Sequence, residues 1–285
     1  MGGVPSARHA PDDNPSQAVV DLYNNVYGDF GSRAEATVRH EAFGEDIGQS
    51  SWLTATEWLR FADLAQVQDG SHVLEVGSGS GGPAIHLARS RGCRVTGVDI
   101  NEHGVRNGER LATSLGVADR VTFQVVDAAQ PLPFSADTFD AILCNDAMCH
   151  IANRADVLRD WFRVLRPGGR MLFSDAMVIT GLVSQEELAV RSSIGFYLFL
   201  PPGENERLIA RAGFTLLASE DTTAAAETIA QRWHEARERH RPELVEREGE
   251  TNFAGLQRFL DCVHRLSAER RLSRFAYLAE KPAPS

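Results

Sequence analysis

The stretch that decides the fold lies at residues 73–83 and reads VLEVGSGSGGP. Its apolar start predicts a buried strand over residues 72–76, and its glycines predict a turn in which the backbone approaches a ligand closely. Pro83 suits the first turn of the following helix, predicted over residues 83–91, because that position needs no backbone N–H. This order of strand, glycine-rich turn and helix is typical of nucleotide-binding α/β proteins, whose ligands lie beyond the carboxyl ends of the strands.

Acidic residues mark three successive predicted strands. Glu75 lies two residues before the first glycine, while Asp99 and Asp127 end the second and third strands. A carboxylate at Asp99 can accept both hydroxyls of a ribose. Glu75 would repel a pyrophosphate but can receive the ammonium group of a methionine moiety, and Asp127 can accept from an adenine amino group. The three acids therefore favour S-adenosylmethionine (SAM) as cofactor, with S-adenosylhomocysteine (SAH) as its product.

The glycine spacing alone leaves a second cofactor open. Gly77, Gly79 and Gly82 satisfy the G-x-G-x-x-G fingerprint of dinucleotide-binding proteins. An NAD-dependent dehydrogenase is therefore an alternative, against which Glu75 and Asp127 argue. A SAM-binding scaffold without catalytic activity is a third hypothesis.

Strand and helix patterns alternate along the chain, which predicts a mostly parallel sheet with crossover helices. Strands are predicted at residues 72–76, 94–98, 121–126, 139–144, 170–174, 214–218 and 272–279. Helices are predicted at residues 17–27, 54–65, 83–91, 102–115, 156–165, 184–200, 204–212, 223–248 and 252–270. Thr54 and Glu57 have the spacing of a capping box at the start of the second helix.

These elements predict a disordered tail at residues 1–15 and a single α/β domain at residues 16–285. An N-terminal helical segment (16–66) and two helical insertions (about 181–212 and 222–270) are expected to cover the ligand face as a lid.

The composition and net charge of the chain indicate which kinds of binding partner to expect. The 285 residues are 43% hydrophobic and 24% charged, as in an ordinary globular protein. The net charge of −10 disfavours nucleic acid and anionic membranes as partners. The four cysteines form no C-x-x-C pair and suggest reduced thiols in a cytoplasmic protein with no metal site. A small-molecule substrate is expected, and the chain is expected to be a monomer or a homodimer.

Four motifs together resemble an enzyme family. E-V-G-S-G-S-G-G, V-D-I, V-D-A and R-V-L-R-P-G-G-R look like the ordered motifs of class I SAM-dependent methyltransferases. The resemblance implies a Rossmann-like, seven-stranded sheet whose last strand is antiparallel. It implies that Gly77 and Gly79 lie beside the methionine part of SAM, that Asp99 binds the ribose, and that Asp127 and Ala128 lie at the adenine. The whole expected cofactor-binding set is Gln49, Ser50, Glu75, Gly77, Ser78, Gly79, Asp99, Ile100, Asp127, Ala128 and Asn145.

The segment after the fourth strand, residues 144–150, reads CNDAMCH and is expected to lie beside the sulfonium. Its Asp146-x-x-x-His150 spacing resembles phosphoethanolamine and sarcosine/dimethylglycine N-methyltransferases. By that resemblance His150 is a base or orienting group, Asp146 is its neighbour or a substrate contact, and Gln49 and Ser50 lie near the cofactor carboxylate. The plainer interpretations are a solvent or capping histidine and an aspartate N-cap.

The resemblance also implies a tyrosine partner for the histidine. Tyr27 is the preferred candidate and Tyr23 the other, although the connector to Gly44 is longer than in that family.

The predicted lid suggests the type of acceptor. Residues 193–202 read SIGFYLFLPP and are strongly apolar, and Trp52, Trp58 and Trp233 are candidates for the pocket wall. An apolar wall favours an acceptor larger and less polar than glycine or a phosphobase. The predicted activity is methyl transfer from SAM to a metabolite or natural product, with an amine nitrogen slightly favoured. The alternative is O- or C-methylation of a hydroxyl, quinone or isoprenoid-like compound.

Overall fold

The computed structural model describes residues 32–283 and contains a seven-stranded sheet. Its strands are β1 (His72–Val76), β2 (Arg94–Asp99), β3 (Val121–Val125), β4 (Phe139–Cys144), β5 (Leu165–Ile179), β6 (Thr215–Asp221) and β7 (Leu272–Glu280). They lie in the order β3-β2-β1-β4-β5-β7-β6, and β7 is antiparallel to both neighbours. The predicted α/β fold, with a mostly parallel sheet and an antiparallel last strand, is confirmed.

Helices cover the sheet and the edge at which the parallel strands end. They are α1 (Arg33–Phe43), α2 (Ala55–Leu64), α3 (Gly82–Arg91), α4 (Glu102–Ser114), α5 (Arg154–Val164), α6 (Gln185–Arg191), α7 (Glu204–Arg211), α8 (Thr223–Arg239) and α9 (Arg241–Ala268). A 3₁₀ turn at Met148–His150 follows β4. None of the helices in the described range has the length and apolar character needed to cross a bilayer.

The side chains of β1 alternate between two hydrophobic clusters because successive residues of a strand point to opposite faces. Val73 packs in a cluster with Trp58 of α2, whereas Leu74 packs in a cluster with Trp161 of α5. Burial of each such side chain contributes about 1.5–3 kcal/mol. The two clusters hold helices on both faces of the sheet, so the ends of the strands remain for the ligand.

A third cluster forms the lid over those strand ends. It combines residues of α1, α8, α9 and the end of β5, among them Phe43, Ile229, Phe259 and Ala176. Helices from both the expected N-terminal segment, which contains α1, and the second expected insertion, which contains α8 and α9, therefore meet in this cluster.

The N-terminal helices differ from the sequence prediction. The predicted helix at residues 17–27 lies outside the described residues, and α1 was not predicted. Ser32 begins α1 by accepting a hydrogen bond from the N–H of Glu35, and Gly44 ends it with a φ of +79°. The helix has alternating small and charged residues with little apolar periodicity, which explains why the pattern did not indicate it.

The lid helices also have other bounds. The helix predicted at residues 184–200 ends at Arg191, and Leu200 instead forms a parallel bridge with Val178 beyond an irregular segment. The predicted break between residues 248 and 252 coincides with a kink at Gly249, where a φ of +79° and a ψ of 155° interrupt the helical backbone within α9. A further break was not predicted: α8 ends at Arg239, and α9 begins at Arg241.

The capping box predicted for α2 is only half formed. The Thr54 hydroxyl accepts the N–H of Glu57 at 3.1 Å. The Glu57 carboxylate does not return to the helix start but pairs with Arg274. A complete capping box forms at the start of α6 instead, between Ser184 and Glu187.

Candidate active site

A cavity of about 1070 Å³ lies beyond the carboxyl ends of the central strands. Binding pockets for small ligands usually measure about 300–1,000 Å³, so this cavity is large enough for a cofactor and an acceptor together. Its walls come from the glycine-rich turn, the ends of β2 and β3, the loop after β4, and the lid. All eleven residues of the expected cofactor-binding set line it.

The glycine-rich turn needs glycine for two separate reasons. Gly77 has a φ of +75°, and a Cβ there would overlap the Cβ of Ala147. A Cβ on Gly82 would overlap the carbonyl oxygen of Ile47. The turn therefore packs between the loop after β4 and the loop after α1, and its backbone lines the cavity.

Glu75 provides the clearest test of whether the residues fit SAM. Its side chain is 3% exposed, and within the described part of the chain its Oε2 atom has no hydrogen-bond partner. Burial, and then the charge of Asp99, raise the pKa of this carboxyl well above its usual range. A buried carboxylate oxygen without a partner fits a cationic group, and the ammonium of a methionine moiety is such a group.

Asp99 is oriented by the backbone. Its Oδ2 accepts the N–H of Gly79 at 2.8 Å, and its Oδ1 accepts the N–H of Asn101 at 2.8 Å. Burial raises the pKa of this carboxyl, and the backbone hydrogen bonds partly oppose the rise. Each carboxylate oxygen accepts more than one hydrogen bond, so both can also receive a ribose hydroxyl.

Asp127 lies two residues beyond β3 and faces the same cavity. Its Oδ1 accepts the N–H of Ala129 at 2.9 Å, which closes a turn around Ala128. A binding site for the edge of a purine requires this arrangement, a half-buried carboxylate beside a turn of the backbone.

Gln49 differs from expectation in what its side chain does. Its Oε1 accepts the N–H of Ile47, and its Nε2 donates to the carbonyls of Glu45 and Leu53. These bonds use the donors of the amide, so Gln49 supports the loop that carries Ser50. The amide of Asn145 is engaged in a similar way, because its Nδ2 donates to Ser51 and its Oδ1 accepts from Ser174 and Arg274.

His150 lies at the cavity wall in the 3₁₀ turn after β4. Its Nδ1 is 2.8 Å from the carbonyl oxygen of Phe196, and its ring lies 4.6 Å from the ring of Tyr197. A carbonyl only accepts, so Nδ1 carries the proton and the neutral ring has its lone pair on Nε2. Burial lowers the pKa of His150, with the charge of Arg191 as a further lowering cause.

The side chain of Asp146 is engaged chiefly by Arg274. Its Oδ1 and Oδ2 lie 2.9 and 3.1 Å from Nε of Arg274, and it also accepts from Trp52 N–H and Ser174 Oγ. Its φ of +52° is uncommon for a residue other than glycine. The structure therefore shows Asp146 holding the loop after β4 through Arg274, while the residue also lines the cavity.

Arg274 was missed by the sequence interpretation, although a charged residue inside a predicted apolar strand is a usable signal. Its side chain is fully buried and pairs with Glu57 as well as Asp146. It also donates to Asn145 and Thr222. One side chain thus joins α2, the loop after β4, β7 and the start of α8.

We expect Arg274→Lys to lower the free energy of unfolding by about 1–3 kcal/mol, because an ammonium cannot reproduce this fork of hydrogen bonds. Urea denaturation measures the change. Arg60→Lys is the matched control, since the Arg60–Glu220 pair is 42% and 47% exposed. Its expected cost is below about 0.5 kcal/mol. Equal stabilities of the two variants would contradict the role of Arg274.

The aromatic candidates separate into two groups. Trp52 and Trp233 line the cavity, with their rings 6.2 Å apart. Trp58 does not: it is fully buried beneath α3 and donates from Nε1 to the carbonyl of Pro83. Tyr23 and Tyr27 lie outside the described residues.

Comparisons with known proteins indicate the class of enzyme. Residues 74–173 match the family described as "Methyltransferase domain". The 27-O-demethylrifamycin SV methyltransferase of Amycolatopsis mediterranei is 27% identical over 266 residues, or 89% of this chain and 92% of that protein. A phosphoethanolamine N-methyltransferase of Triticum aestivum is 28% identical over 211 residues, or 74% of this chain but only 41% of that protein.

Among solved structures, the [4+2]-cyclase SpnF superposes with a TM-score of 0.76 and 23% identity, over 98% of this chain and 100% of that one. A likeness at this identity supports the fold, and a fold alone does not define a reaction.

The fold, the orphaned Glu75 carboxylate and the acids at the strand ends define a SAM-binding enzyme of Rossmann-like architecture. Together with the family match and the methyltransferase relatives, they identify the chain as a class I SAM-dependent methyltransferase acting on small molecules. The dehydrogenase alternative is thereby excluded.

Proposed function

We propose that the chain transfers the methyl group of SAM to a hydroxyl oxygen of a medium-sized, partly apolar natural product, with His150 as the general base. This differs from the slight preference for nitrogen that the motifs gave. The observation that carries it is the 2.8 Å hydrogen bond from Nδ1 of His150 to the carbonyl of Phe196. It orients a neutral imidazole whose Nε2 can take a proton, and a hydroxyl needs such a base more than a neutral amine does.

The acceptor part of the cavity supports a partly apolar substrate. Trp52, Met177, Ile194, Tyr197, Leu244, Leu256 and Phe259 line it. Apolar walls stabilise a bound substrate mainly by removing its apolar surface from water, which contributes about 25 cal/mol per Å². The rifamycin relative, whose name specifies a demethylated oxygen, supports the same type of acceptor atom.

Bound SAM supplies an activated methyl group, so the protein has mainly to align the acceptor and remove its proton. The glycine-rich turn, Glu75 and Asp99 hold the cofactor end of the cavity, and the lid covers the other end. His150 receives the proton of the hydroxyl at Nε2. Asp146 and Arg274 fix the loop that carries this histidine.

Incubation with SAM and a library of phenols, enols and aliphatic alcohols, each with its matching amine, tests the proposal. We expect products one methylene heavier from hydroxyl compounds, with the added carbon located on oxygen by fragmentation. Products methylated only on nitrogen or carbon would overturn the assignment of the acceptor atom.

A further inference from the structure

Arg191, the last residue of α6, is a buried cation that forms no ion pair with any residue the structure describes. Arg154, Arg191, Arg237 and Arg274 are all at most 2% exposed. Three of them have carboxylate partners: Arg154 with Asp175, Arg237 with Glu248, and Arg274 with Asp146 and Glu57. Between residues 32 and 283, Nε and Nη1 of Arg191 have no hydrogen-bond partner.

Aromatic rings surround the guanidinium instead. Its carbon lies 4.8 Å from the ring centroid of Phe259, 5.2 Å from that of Tyr197 and 5.8 Å from that of Trp52. We call these three rings the aromatic cage. Cation–π contacts stabilise a cation but do not neutralise its charge.

The aromatic cage is also part of the cavity wall, because all three of its rings line the cavity. We call the part of the cavity beside these rings the acceptor chamber. Tyr197 contacts Arg191 on one side and the ring of His150, at 4.6 Å, on another. The ring of Tyr197 therefore separates Arg191 from the chamber, and the same ring contacts His150, the expected base.

We propose that Arg191 selects acidic hydroxyl compounds as acceptors, because its charge stabilises the phenolate or enolate oxyanion that is left in the chamber when His150 takes the hydroxyl proton. The inference rests on the proposed function, because it specifies which hydroxyl compounds the same site accepts. The ligand supplies the countercharge that the described part of the chain does not.

The physical reason is the field of a desolvated charge. Two unit charges separated by one ring attract each other appreciably at the low effective dielectric of a protein interior. A neutral alcohol gains nothing from this field, and an ammonium ion is repelled by it. The sulfonium of SAM has the same sign as Arg191, so both favour an anion in the chamber.

The test is binding of 4-nitrophenol to the full chain saturated with SAH, at a pH where the free phenol is ionised. The neutral 4-nitrotoluene is the matched probe of similar shape. Arg191→Met removes the charge at similar length, and Arg191→Lys retains it. Calorimetry with SAH beforehand checks that each variant folds and binds the cofactor product.

We expect Arg191→Met to weaken 4-nitrophenolate binding by about 10- to 100-fold, and Arg191→Lys to restore most of it. Binding of 4-nitrotoluene should change by less than about threefold in both variants. Equal losses for both probes, or wild-type binding no tighter for the phenolate than for 4-nitrotoluene, would overturn the proposal. Because no turnover is measured, failure of the hydroxyl assignment would be seen separately in the product screen.

Discussion

We expect the Asp99→Ala variant to bind SAM about 10²- to 10⁴-fold more weakly than the wild type, because it loses two charge-assisted hydrogen bonds worth about 1.5–3 kcal/mol each. The backbone N–H groups of Gly79 and Asn101 already hold the carboxylate, at 2.8 Å each. The Asp99 side chain therefore loses little further entropy when a ribose binds. Most of the energy of its hydrogen bonds to the ribose then contributes to affinity.

Isothermal titration with SAM measures this affinity. Asp119→Ala is the control, since the Asp119 side chain is 72% exposed at the opposite end of β3. A dissociation constant of Asp99→Ala within about threefold of the control would mean that Asp99 does not bind the ribose.

Removal of the imidazole should affect turnover and leave cofactor binding intact. We expect His150→Ala to lower kcat by about 10²- to 10⁴-fold with an unchanged dissociation constant for SAM. Steady-state kinetics on an acceptor from the product screen measures kcat. The exposed His103 gives the control variant His103→Ala, for which wild-type kcat is expected.

The pH profile gives an independent readout of the same residue. Burial lowers the pKa of His150, so its ring stays neutral to a lower pH than an ordinary histidine. Activity should therefore persist at neutral pH and decrease only as the pH falls below the usual range for histidine. Full activity of His150→Ala, or a wild-type profile without an acid limb, would exclude His150 as the base.

The cofactor side of the site could be predicted from the sequence because its signals are local. Glu75, Asp99 and Asp127 each lie at or near the end of a short apolar run, and parallel strands bring such ends to one edge. The glycines of the turn after β1 indicate a backbone conformation that does not depend on distant residues. The order of these segments was enough to indicate the cavity and its ligand.

The acceptor side depends on contacts between distant residues. Asp146 and Arg274 are 128 residues apart, so no local pattern could show that they form an ion pair. Residues 193–202 have an apolar composition that suits a helix equally well, but their backbone is irregular. Leu200 bridges to β5 opposite Val178, and the N–H of Leu198 donates to the carbonyl of Cys149. Likewise, nothing near Arg191 in the sequence shows that no carboxylate within residues 32–283 pairs with it.

The position of Arg274 in the last strand has a consequence for how the enzyme is made. Synthesis on the ribosome proceeds from the N-terminus, and early segments begin to fold first. The loop with Asp146 leaves the ribosome long before Arg274, which is 128 residues further along. A nascent chain therefore holds unpaired acids beside an unfinished pocket. Translation of β7 supplies their countercharge, so the loop after β4 gains its buried cation only when this strand has been made.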